Sequence, residues 1–542
     1  FKSATYQKRG NIMKADKIFK SKNIYTVTHG MLSGGVAVSE KKIISVTDNE
    51  NLNYYISPDT QIIDFDDKLL MPGFIDGHTH MMAYAPKVDL STAESISECV
   101  NMIKSFYETH KDADCIRAEK WYAANWDGTM PTKRDIDPVI PDKPFMAVDL
   151  DIHKVWVNSY LLEEAGINKE TISNISNGHP EMISVDENGN PTGLLSDQVA
   201  MDITIKYGVK TTDKTVGAML DVWTKYGVTS INDMDFYTAD CEMYKYIKKF
   251  EQNNLLNVRI FASLDAEKAT DSSIEYGKKL MNSDMFHLNA LKAFMDGTGA
   301  GMTAYMLTPY KNTNIVGKPF WTMRQLLNYI HLADSHGLAM HTHCCGDAAF
   351  RMVLDAYENA ASMGIKMNNT FSIEHCDTVA AEDISRPARL GISLNLTPDF
   401  LAPTQKWKDN PYLMVYDKEV QKELWHLKSF LDTSVNVSFG TDYTASSMNP
   451  MDQIYRAVER RANDGNPKGG YMPSEALTIE EAVRCYTLNS AKSVGMENKL
   501  GSLDDGKYAD MIVLDRNIFT EPMSSVKKSN VLFTIVNGNI VY

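Results

Sequence analysis

The 542-residue chain lacks several features that would assign it to other classes of protein. It contains no uninterrupted apolar stretch of about 18 residues, so no membrane-spanning helix is expected. It has no basic excess, since its net charge is -15 at pH 7, which argues against nucleic acid or an anionic membrane as a partner. Its seven cysteines are few and odd in number, without zinc-finger spacing. They predict a reducing compartment and therefore a cytoplasmic location.

The chain has 43% hydrophobic residues, which is ample for a large core and more than one domain. It begins with Phe1, and residues 1–12 are polar and basic with no apolar segment. No signal peptide is therefore expected. Met13 is expected to be the native start, with residues 1–12 left from an expression vector.

The most informative stretch is Met71-Pro72-Gly73-Phe74-Ile75-Asp76-Gly77-His78-Thr79-His80. The apolar run over residues 69–75 predicts a buried strand that ends in two histidines separated by one residue. Because side chains alternate along a strand, His78 and His80 are expected to share a face. Two imidazoles there can bind one metal ion, although a pair of polar loop histidines would give the same pattern.

From about residue 223, strand-like runs alternate with helical segments, as in parallel βα units. Together with residues 70–75 they predict an α/β fold with a TIM-like (β/α)8 barrel, whose active site lies at the C-terminal ends of the strands. The seven further runs are 228–232, 258–263, 290–295, 338–344, 370–375, 391–396 and 435–440.

Both ends of the chain contain short β-type runs separated by turn residues, and neither end can bury a sheet alone. Residues 13–70 and 496–542 are therefore expected to pair into one small β-sandwich. The barrel, residues 71–82 and 221–495, lies between them. Residues 83–220 do not follow the βα pattern and are expected to form an inserted α/β domain over the barrel mouth.

Titratable residues occur near the C-terminal ends of the predicted barrel strands. On the fifth strand, alternation puts His341 and His343 on one face, and His343 is assigned to the site because it is nearer the strand end. His341 is then a deeper, supporting residue. Cys344 and Cys345 are interpreted as packing residues. The candidate metal ligands are His78, His80, Lys292, His343, His375 and Asp442.

These motifs resemble the amidohydrolase superfamily, whose members are metal-dependent hydrolases built on a TIM-like barrel. The run PGFIDGHTH resembles their first metal-binding strand, and residues 501–510 resemble their GsLexGkxAD return into the sandwich. Residues 153–159 and 189–195 resemble the patterns H-x-x-W-x-N-S and G-N-P-T-G-x-L of the YtcJ-like branch, which includes N-substituted formamide deformylases. Two departures are expected to alter the pocket: H-C-C-G-D replaces H-A-I-G-D on strand five, and Thr397-Pro398 replaces Gln-Pro after strand seven.

Lys292 allows two interpretations. Burial favours the neutral form of a lysine amine, which can react with CO₂ to give a carbamate that bridges two metal ions. Hydantoinase-like members of the superfamily carry such a carboxylated lysine on strand four, and K-x-F-M at 292–295 resembles that motif. The alternative is a buried Lys292–Asp296 ion pair beside a single metal ion.

Asp442 is assigned as the catalytic residue. A metal ion can lower the pKa of bound water from 15.7 to about 7, and Asp442 is expected to accept the water's proton and return it to the leaving nitrogen. The resemblance implies hydrolysis of an amide or related C–N bond in a small molecule. One or two divalent ions are expected. Zinc is the first choice for imidazole and carboxylate ligands, which also suit iron, manganese or cobalt.

A small apolar or aromatic substrate is expected to meet His153, Trp156 and Asp296, although His153 and Trp156 could equally belong to the packing of the insert. Two other functions compete. A mononuclear deaminase of a heterocycle is disfavoured because Gly346 stands where such enzymes usually carry Glu. A non-catalytic binding protein is disfavoured because all six ligands are present. A homodimer is also expected.

Overall fold

The computed structural model describes residues 13–126, 128–150, 154–176, 178–234, 237–404 and 406–542. The chain divides into two compact units. Ala83–Thr215 form one unit, and the chain on either side of them, up to Met82 and from Val216 to Tyr542, forms the other.

The strands of the described residues form three sheets, and they are numbered here in chain order. The first twelve are β1 Lys17–Tyr25, β2 Met31–Ser39, β3 Lys42–Asp48, β4 Gln61–Asp64, β5 Leu69–Pro72, β6 Phe74–Thr79, β7 Val88–Asp89, β8 Ile116–Trp121, β9 Phe145–Asp149, β10 Lys154–Val157, β11 Ile183–Val185 and β12 Pro191–Ser196. The others are β13 Val228–Asp233, β14 Arg259–Asp265, β15 Phe286–Phe294, β16 Ala339–Cys344, β17 Ser372–His375, β18 Ser393–Leu396, β19 Asn436–Phe439, β20 Met511–Leu514, β21 Val531–Val536 and β22 Asn539–Ile540.

Several helices begin at side-chain caps, as their sequences dictate. Thr270, Thr322 and Thr478 each form a capping box, which satisfies the backbone N–H groups of the first helical turn. The helices are α1 Asn49–Leu52, α2 Ile96–Thr109, α3 Lys133–Ile136, α4 Ser159–Ala165, α5 Ile172–Ile175, α6 Asp197–Tyr207, α7 Asp213–Lys225, α8 Glu242–Gln252, α9 Asp271–Leu280, α10 Met323–Ser335, α11 Asp347–Ser362, α12 Arg386–Leu390, α13 Pro411–Val415, α14 Lys418–Gln421, α15 Lys428–Asp432, α16 Pro450–Glu459, α17 Ile479–Cys485, α18 Leu488–Ser493 and α19 Met523–Val526.

Eight parallel strands form the barrel sheet, in the order β6-β13-β14-β15-β16-β17-β18-β19. Two backbone hydrogen bonds connect the chain at the ends of the first and last strands. Asp442 N donates to His78 O at 2.7 Å, and His80 N donates to Tyr443 O at 3.1 Å. The predicted TIM-like barrel is therefore confirmed, and its two outermost strands are connected at the level of the predicted site.

The prediction that residues 69–75 form one strand is wrong, because the run divides at Gly73 between two sheets. β5 pairs with β1 and β20, whereas β6 pairs with β13 in the barrel. Only glycine fits at the division, since a Cβ there would lie 2.3 Å from the Thr229 side chain. As a result β6 extends to Thr79, so His78 lies within the strand and His80 directly follows it.

Strands from both ends of the chain share one eight-stranded sheet, in which β20 pairs with β5 and β21. Phe19 and Leu70 pack in one core with Met511 and Ile535. The final hairpin turns at Asn537-Gly538, whose φ angles of 52° and 73° lie in the left-handed region that a tight hairpin turn requires. The prediction of a β domain built from both termini is confirmed.

The second unit contains a six-stranded sheet in the order β11-β12-β10-β9-β8-β7. Side-chain alternation along β10 supplies two apolar cores. Trp156 joins a core with Trp121 and Phe145, whereas Val155 and Val157 join a second core. In the part of the chain that the structure describes, no helix of either unit has the length and apolarity to cross a membrane.

A buried ion pair connects the barrel to the eight-stranded sheet built from both ends of the chain, which is called the terminal sheet below. Arg259 on β14 is 1% exposed, and its Nε donates to Asp510 Oδ2 at 2.6 Å. The guanidinium also lies 4.1 Å from the centre of the Tyr508 ring, and Asn537 N donates to Asp510 Oδ1 at 2.8 Å. Each charge thus has its partner inside the protein.

Replacing Arg259 with Met is expected to lower the free energy of unfolding by about 3–5 kcal/mol, because it leaves the Asp510 carboxylate buried without its cation. Thermal unfolding followed by circular dichroism measures this change. Arg389→Met, which removes an exposed arginine, serves as the matched control. Equal melting temperatures for the two variants would contradict the role assigned to the ion pair.

Candidate metal centre and active site

The C-terminal ends of the barrel strands bring the central candidate ligands together. One ligand atom each from His78, His375 and Asp442 lies within 4.8 Å of the others, and all three side chains are buried. These residues come from β6, the end of β17 and the loop after β19, so tertiary folding brings together groups that are far apart in sequence.

Asp442 lies at the centre of this group. Its Oδ1 is 3.1 Å from His80 Nε2 and 3.4 Å from His78 Nε2, and its Oδ2 is 3.9 Å from His375 Nδ1. Asp442 has a φ of 47° and His375 a φ of 72°. Both angles lie in the left-handed region, which costs a residue with a side chain about 1 kcal/mol or more and is typical of functional sites.

Lys292 and His343 lie beside the central group. The Lys292 side chain is buried, with Nζ 3.4 Å from His78 Nε2 and 5.0 Å from the centre of the Phe294 ring. The ring centres of His343 and His375 are 4.4 Å apart. His343 Nε2 donates to Gly297 O at 3.2 Å, so Nδ1 is the lone-pair nitrogen of the neutral ring.

His341 lies deeper than His343. It is fully buried, and its ring nitrogens lie 3.4 Å from Ser263 Oγ and 3.2 Å from Thr370 O. Burial lowers its pKa to about 4, so the ring is neutral at pH 7. Its ring nitrogens thus contact the barrel wall, which fits the supporting position expected for it.

The electrostatics of the site favour metal binding. Burial lowers the pKa of His343 to about 3 and that of His375 well below its ordinary value, so both rings are neutral at pH 7. Burial opposes ionisation of Asp442, but the neighbouring His78 and His80 rings outweigh that effect and hold its pKa well below its usual range. Neutral imidazoles and an ionised carboxylate are the forms in which these side chains bind metal ions.

The residues present fit a divalent metal ion. His375 Nδ1 is buried and has no hydrogen-bond partner among the described residues, which is costly unless another group satisfies it. The surrounding donors are imidazole nitrogens and carboxylate oxygens, which suit zinc and related ions. Cys344 and Cys345 are buried with thiol pKa values raised well above the ordinary value, mainly by burial.

Glu374 belongs to the site but was not selected from the sequence. It is fully buried, and its Oε2 lies 2.6 Å from His78 Nδ1. The ionised carboxylate accepts the Nδ1 proton, which leaves the Nε2 lone pair of His78 facing Lys292 and Asp442. The signal in the sequence was the Glu-His pair, Glu374-His375, at the end of the sixth barrel strand.

Asp76 is a second buried carboxylate that the sequence analysis missed. Thr441 donates to it through its backbone N–H at 3.0 Å and its hydroxyl at 2.6 Å, and His78 N donates at 3.2 Å. Burial raises the Asp76 pKa to about 6. Asp76 therefore joins the backbone around His78 to the loop that carries Asp442.

The predicted substrate contacts lie in different places. Asp296 is buried, with its oxygens 2.9–3.0 Å from the backbone nitrogens of Tyr305, Cys345 and Gly346. Trp156 is fully buried in a core of the second unit, and its indole N–H donates to Thr132 O. His153 lies outside the described residues. The assignment of these three residues to substrate binding stays a prediction.

Comparison with known proteins identifies the family. A profile described as the amidohydrolase family matches residues 61–542. The chain belongs to the amidohydrolase family. It is 28% identical to the putative amidohydrolase YtcJ of Bacillus subtilis over 90% of this chain and 92% of that protein. It is 26% identical to the N-substituted formamide deformylase of Arthrobacter pascens over 97% of this chain and 98% of that protein.

A solved structure supports the same fold. An uncharacterized metal-dependent hydrolase from Pyrococcus furiosus superposes with a TM-score of 0.71 at 23% identity, covering 93% of this chain and all of that chain. The resemblance of the sequence to amidohydrolases and to the YtcJ-like branch is confirmed. The prediction of an enzyme of the amidohydrolase type is likewise confirmed at the level of the family.

Replacing Glu374 with Gln is expected to weaken zinc binding by about 10–100-fold, since a neutral amide no longer fixes the His78 ring as a carboxylate does. Zinc content after dialysis against buffers of graded free zinc measures this affinity. Glu358→Gln, on the surface of α11, is the matched control. Unchanged affinity in Glu374→Gln, with an intact fold, would remove Glu374 from the site.

Proposed function

We propose that this protein hydrolyses an amide or related C–N bond of a small apolar or aromatic molecule, with Asp442 as general base and then general acid. The observation that supports this proposal most strongly is that the buried side chains of His78, His375 and Asp442 lie together at the C-terminal ends of the barrel strands. The similarity to an N-substituted formamide deformylase over nearly the whole chain supports a substrate of the amide class.

The proposed mechanism uses groups that the chain places within reach of one another. His78, His80, His375 and Asp442 would hold one divalent ion, and His343 with Lys292 would complete a site for a second. When bound, such an ion supplies Lewis acidity that polarises a carbonyl group and makes water easier to deprotonate. We take zinc as the first choice because the donors are imidazole and carboxylate.

Asp442 performs the proton transfers. Its ionised carboxylate accepts a proton from water as the water oxygen attacks the amide carbonyl carbon. When the C–N bond breaks, Asp442 donates that proton to the leaving nitrogen, so that one water and one amide become a carboxylic acid and an amine. The low pKa of Asp442 makes it anionic, and therefore ready to accept a proton, across the neutral range.

The surroundings of the centre favour an apolar substrate. The Phe294 ring lies 5.1 Å from the His343 ring, and the Phe400 ring stacks 6.0 Å from the His375 ring, both measured between centres. Both phenylalanines are only partly buried, so part of each ring faces solvent or a ligand. A partly exposed aromatic ring beside a polar centre is typical of a pocket that binds apolar groups.

Lys292 is proposed to carry a carbamate. Its amine would form an N–C bond with CO₂ and lose a proton, which places an anionic pair of oxygens beside His78. Its burial and its position 3.4 Å from His78 Nε2 support this assignment. The alternative, an ion pair with Asp296, has less support because three backbone N–H groups already stabilise the Asp296 carboxylate without a cation.

The two competing functions are less well supported. A glutamate at position 346, as in related deaminases, does not fit this backbone, because a Cβ there would lie 2.1 Å from Tyr305 O. A non-catalytic binding protein would not need a strained, buried set of metal-binding side chains. We also propose a cytoplasmic location, which the seven free cysteines support, and a homodimer, which light scattering can test.

Asp442→Asn is expected to lower kcat at least 100-fold on whichever amide or formamide proves to be a substrate, since the variant lacks the proton acceptor. Assays of amine release over a panel of N-substituted formamides, anilides and amino-heterocycles measure it. Asp432→Asn, on the surface of α15, is the control. Activity of Asp442→Asn equal to that of the control would contradict the proposed mechanism.

Metal content distinguishes the one-ion and two-ion sites. We expect about two ions per chain by elemental mass spectrometry when protein is reconstituted with zinc and bicarbonate, and about one in Lys292→Met, which cannot form a carbamate. One ion in both proteins would assign Lys292 a structural role. No ion in either protein would favour the binding-protein alternative.

A further inference from the structure

A small cavity lies beside the metal centre and shares His375 with it as part of its wall. Thr397, directly after β18, lines the cavity together with Trp425 and Arg460. The volume of the cavity is about 10 Å³, which is close to the room that one water-sized atom needs. The proposed mechanism does not use this cavity.

Three residues that line this cavity each carry a buried side-chain donor with no acceptor among the described residues. The donors are the Thr397 hydroxyl, the Trp425 indole N–H and Nη2 of Arg460. The three side chains are 4%, 6% and 1% exposed. Leaving a buried donor unpaired is costly, so three in one place point to an acceptor that occupies the cavity.

The Arg460 guanidinium is held in place by its other nitrogens. Nε donates to Tyr471 O at 3.0 Å, and Nη1 donates to Trp425 O at 3.0 Å. These contacts fix the plane of the group, and Nη2 has no acceptor among the described residues. Burial lowers the Arg460 pKa to about 10, so the group keeps its positive charge at pH 7.

The neighbouring acid, Glu475, has other hydrogen-bond partners than Nη2 of Arg460. Glu475 is buried near Arg460, but its carboxylate accepts from Leu427 N at 2.8 Å and Ser429 N at 3.0 Å. The Ser429 hydroxyl also donates to it, and His426 Nδ1 lies 3.4 Å away. Glu475 thus lowers the local positive charge without filling the cavity.

We propose that this cavity is a subsite for a carboxylate, which places one oxygen between the Thr397, Trp425 and Arg460 donors. A carboxylate oxygen can accept from several donors at once and gains most from a charged one. The size of the cavity admits one such oxygen, with the rest of the molecule outside. The Thr397-Pro398 departure from the branch pattern supplies one of the three donors.

The carboxylate has two possible sources with the same chemistry. It can belong to a free small carboxylate, or it can be a second functional group on the substrate whose amide faces Asp442. Only the second source rests on the proposed function. Formate binding tests the subsite without any assay of activity, and so a failure of the subsite and a failure of the proposed hydrolysis are distinguishable.

The first experiment follows the melting temperature of the metal-loaded protein as formate replaces chloride at constant ionic strength, because chloride carries no carboxylate oxygen. Formate is expected to raise the melting temperature of the wild type by mass action. Thr397→Val removes one donor and keeps the shape, whereas Trp425→Phe removes one donor together with part of the ring, and each is expected to weaken formate binding about tenfold. Arg460→Met removes the charge, although its two other contacts make it the variant most exposed to misfolding.

Trp223→Phe is the matched control, because it removes another buried indole N–H that lacks an acceptor among the described residues, on α7 and outside the cavity. Formate that binds the metal centre itself would affect all variants equally. Wild-type affinity for formate in both Trp425→Phe and Thr397→Val would overturn the proposal. Equal melting temperatures of the wild type in formate and in chloride would do the same and would leave water as the occupant.

The second experiment separates the two sources. Matched amides with and without a terminal carboxylate are compared by KM in the wild type and in Trp425→Phe. A preference for the carboxylate that falls about tenfold in the variant, with kcat unchanged, assigns the subsite to the substrate. Formate binding without such a preference supports the subsite and assigns it to a free carboxylate.

Discussion

The hydrogen bond from Asp442 N to His78 O is the contact on which the site depends. It joins the loop after β19 to β6 and so connects the first and last strands of the barrel. It also brings the Asp442 carboxylate within 3.4 Å of the His78 ring. The same backbone contact thus contributes both to barrel geometry and to ligand geometry. Gly440 permits it, since a Cβ there would lie 2.5 Å from His78 N.

Three buried carboxylates around this contact each hold a different part of the site in place. Asp76 holds the loop that carries Asp442, Glu374 orients the His78 ring, and Asp296 holds the loops around Tyr305 and Gly346. Each carboxylate accepts protein N–H or O–H groups, which offsets the cost of its burial. A preorganised centre of this kind loses little free energy to rearrangement when it binds an ion or a substrate.

The sequence allowed the barrel strands to be predicted because each is a short apolar run that ends in a polar residue, as at His375 and Asp442. It did not reveal the division at Gly73, because an apolar run carries no sign of which sheet takes each half. Glu374 was missed for a similar reason: its role depends on the His78 ring, which only tertiary folding brings to it. The three cavity donors are likewise invisible in sequence, since only the absence of an acceptor distinguishes them.

The terminal sheet has a consequence for synthesis of the chain. β5 is made well before β20, the strand that pairs with it, because all eight barrel strands lie between the two in the sequence. A growing chain therefore leaves one edge of β5 unpaired until β20 has been made. Chaperone binding would be most useful in this interval.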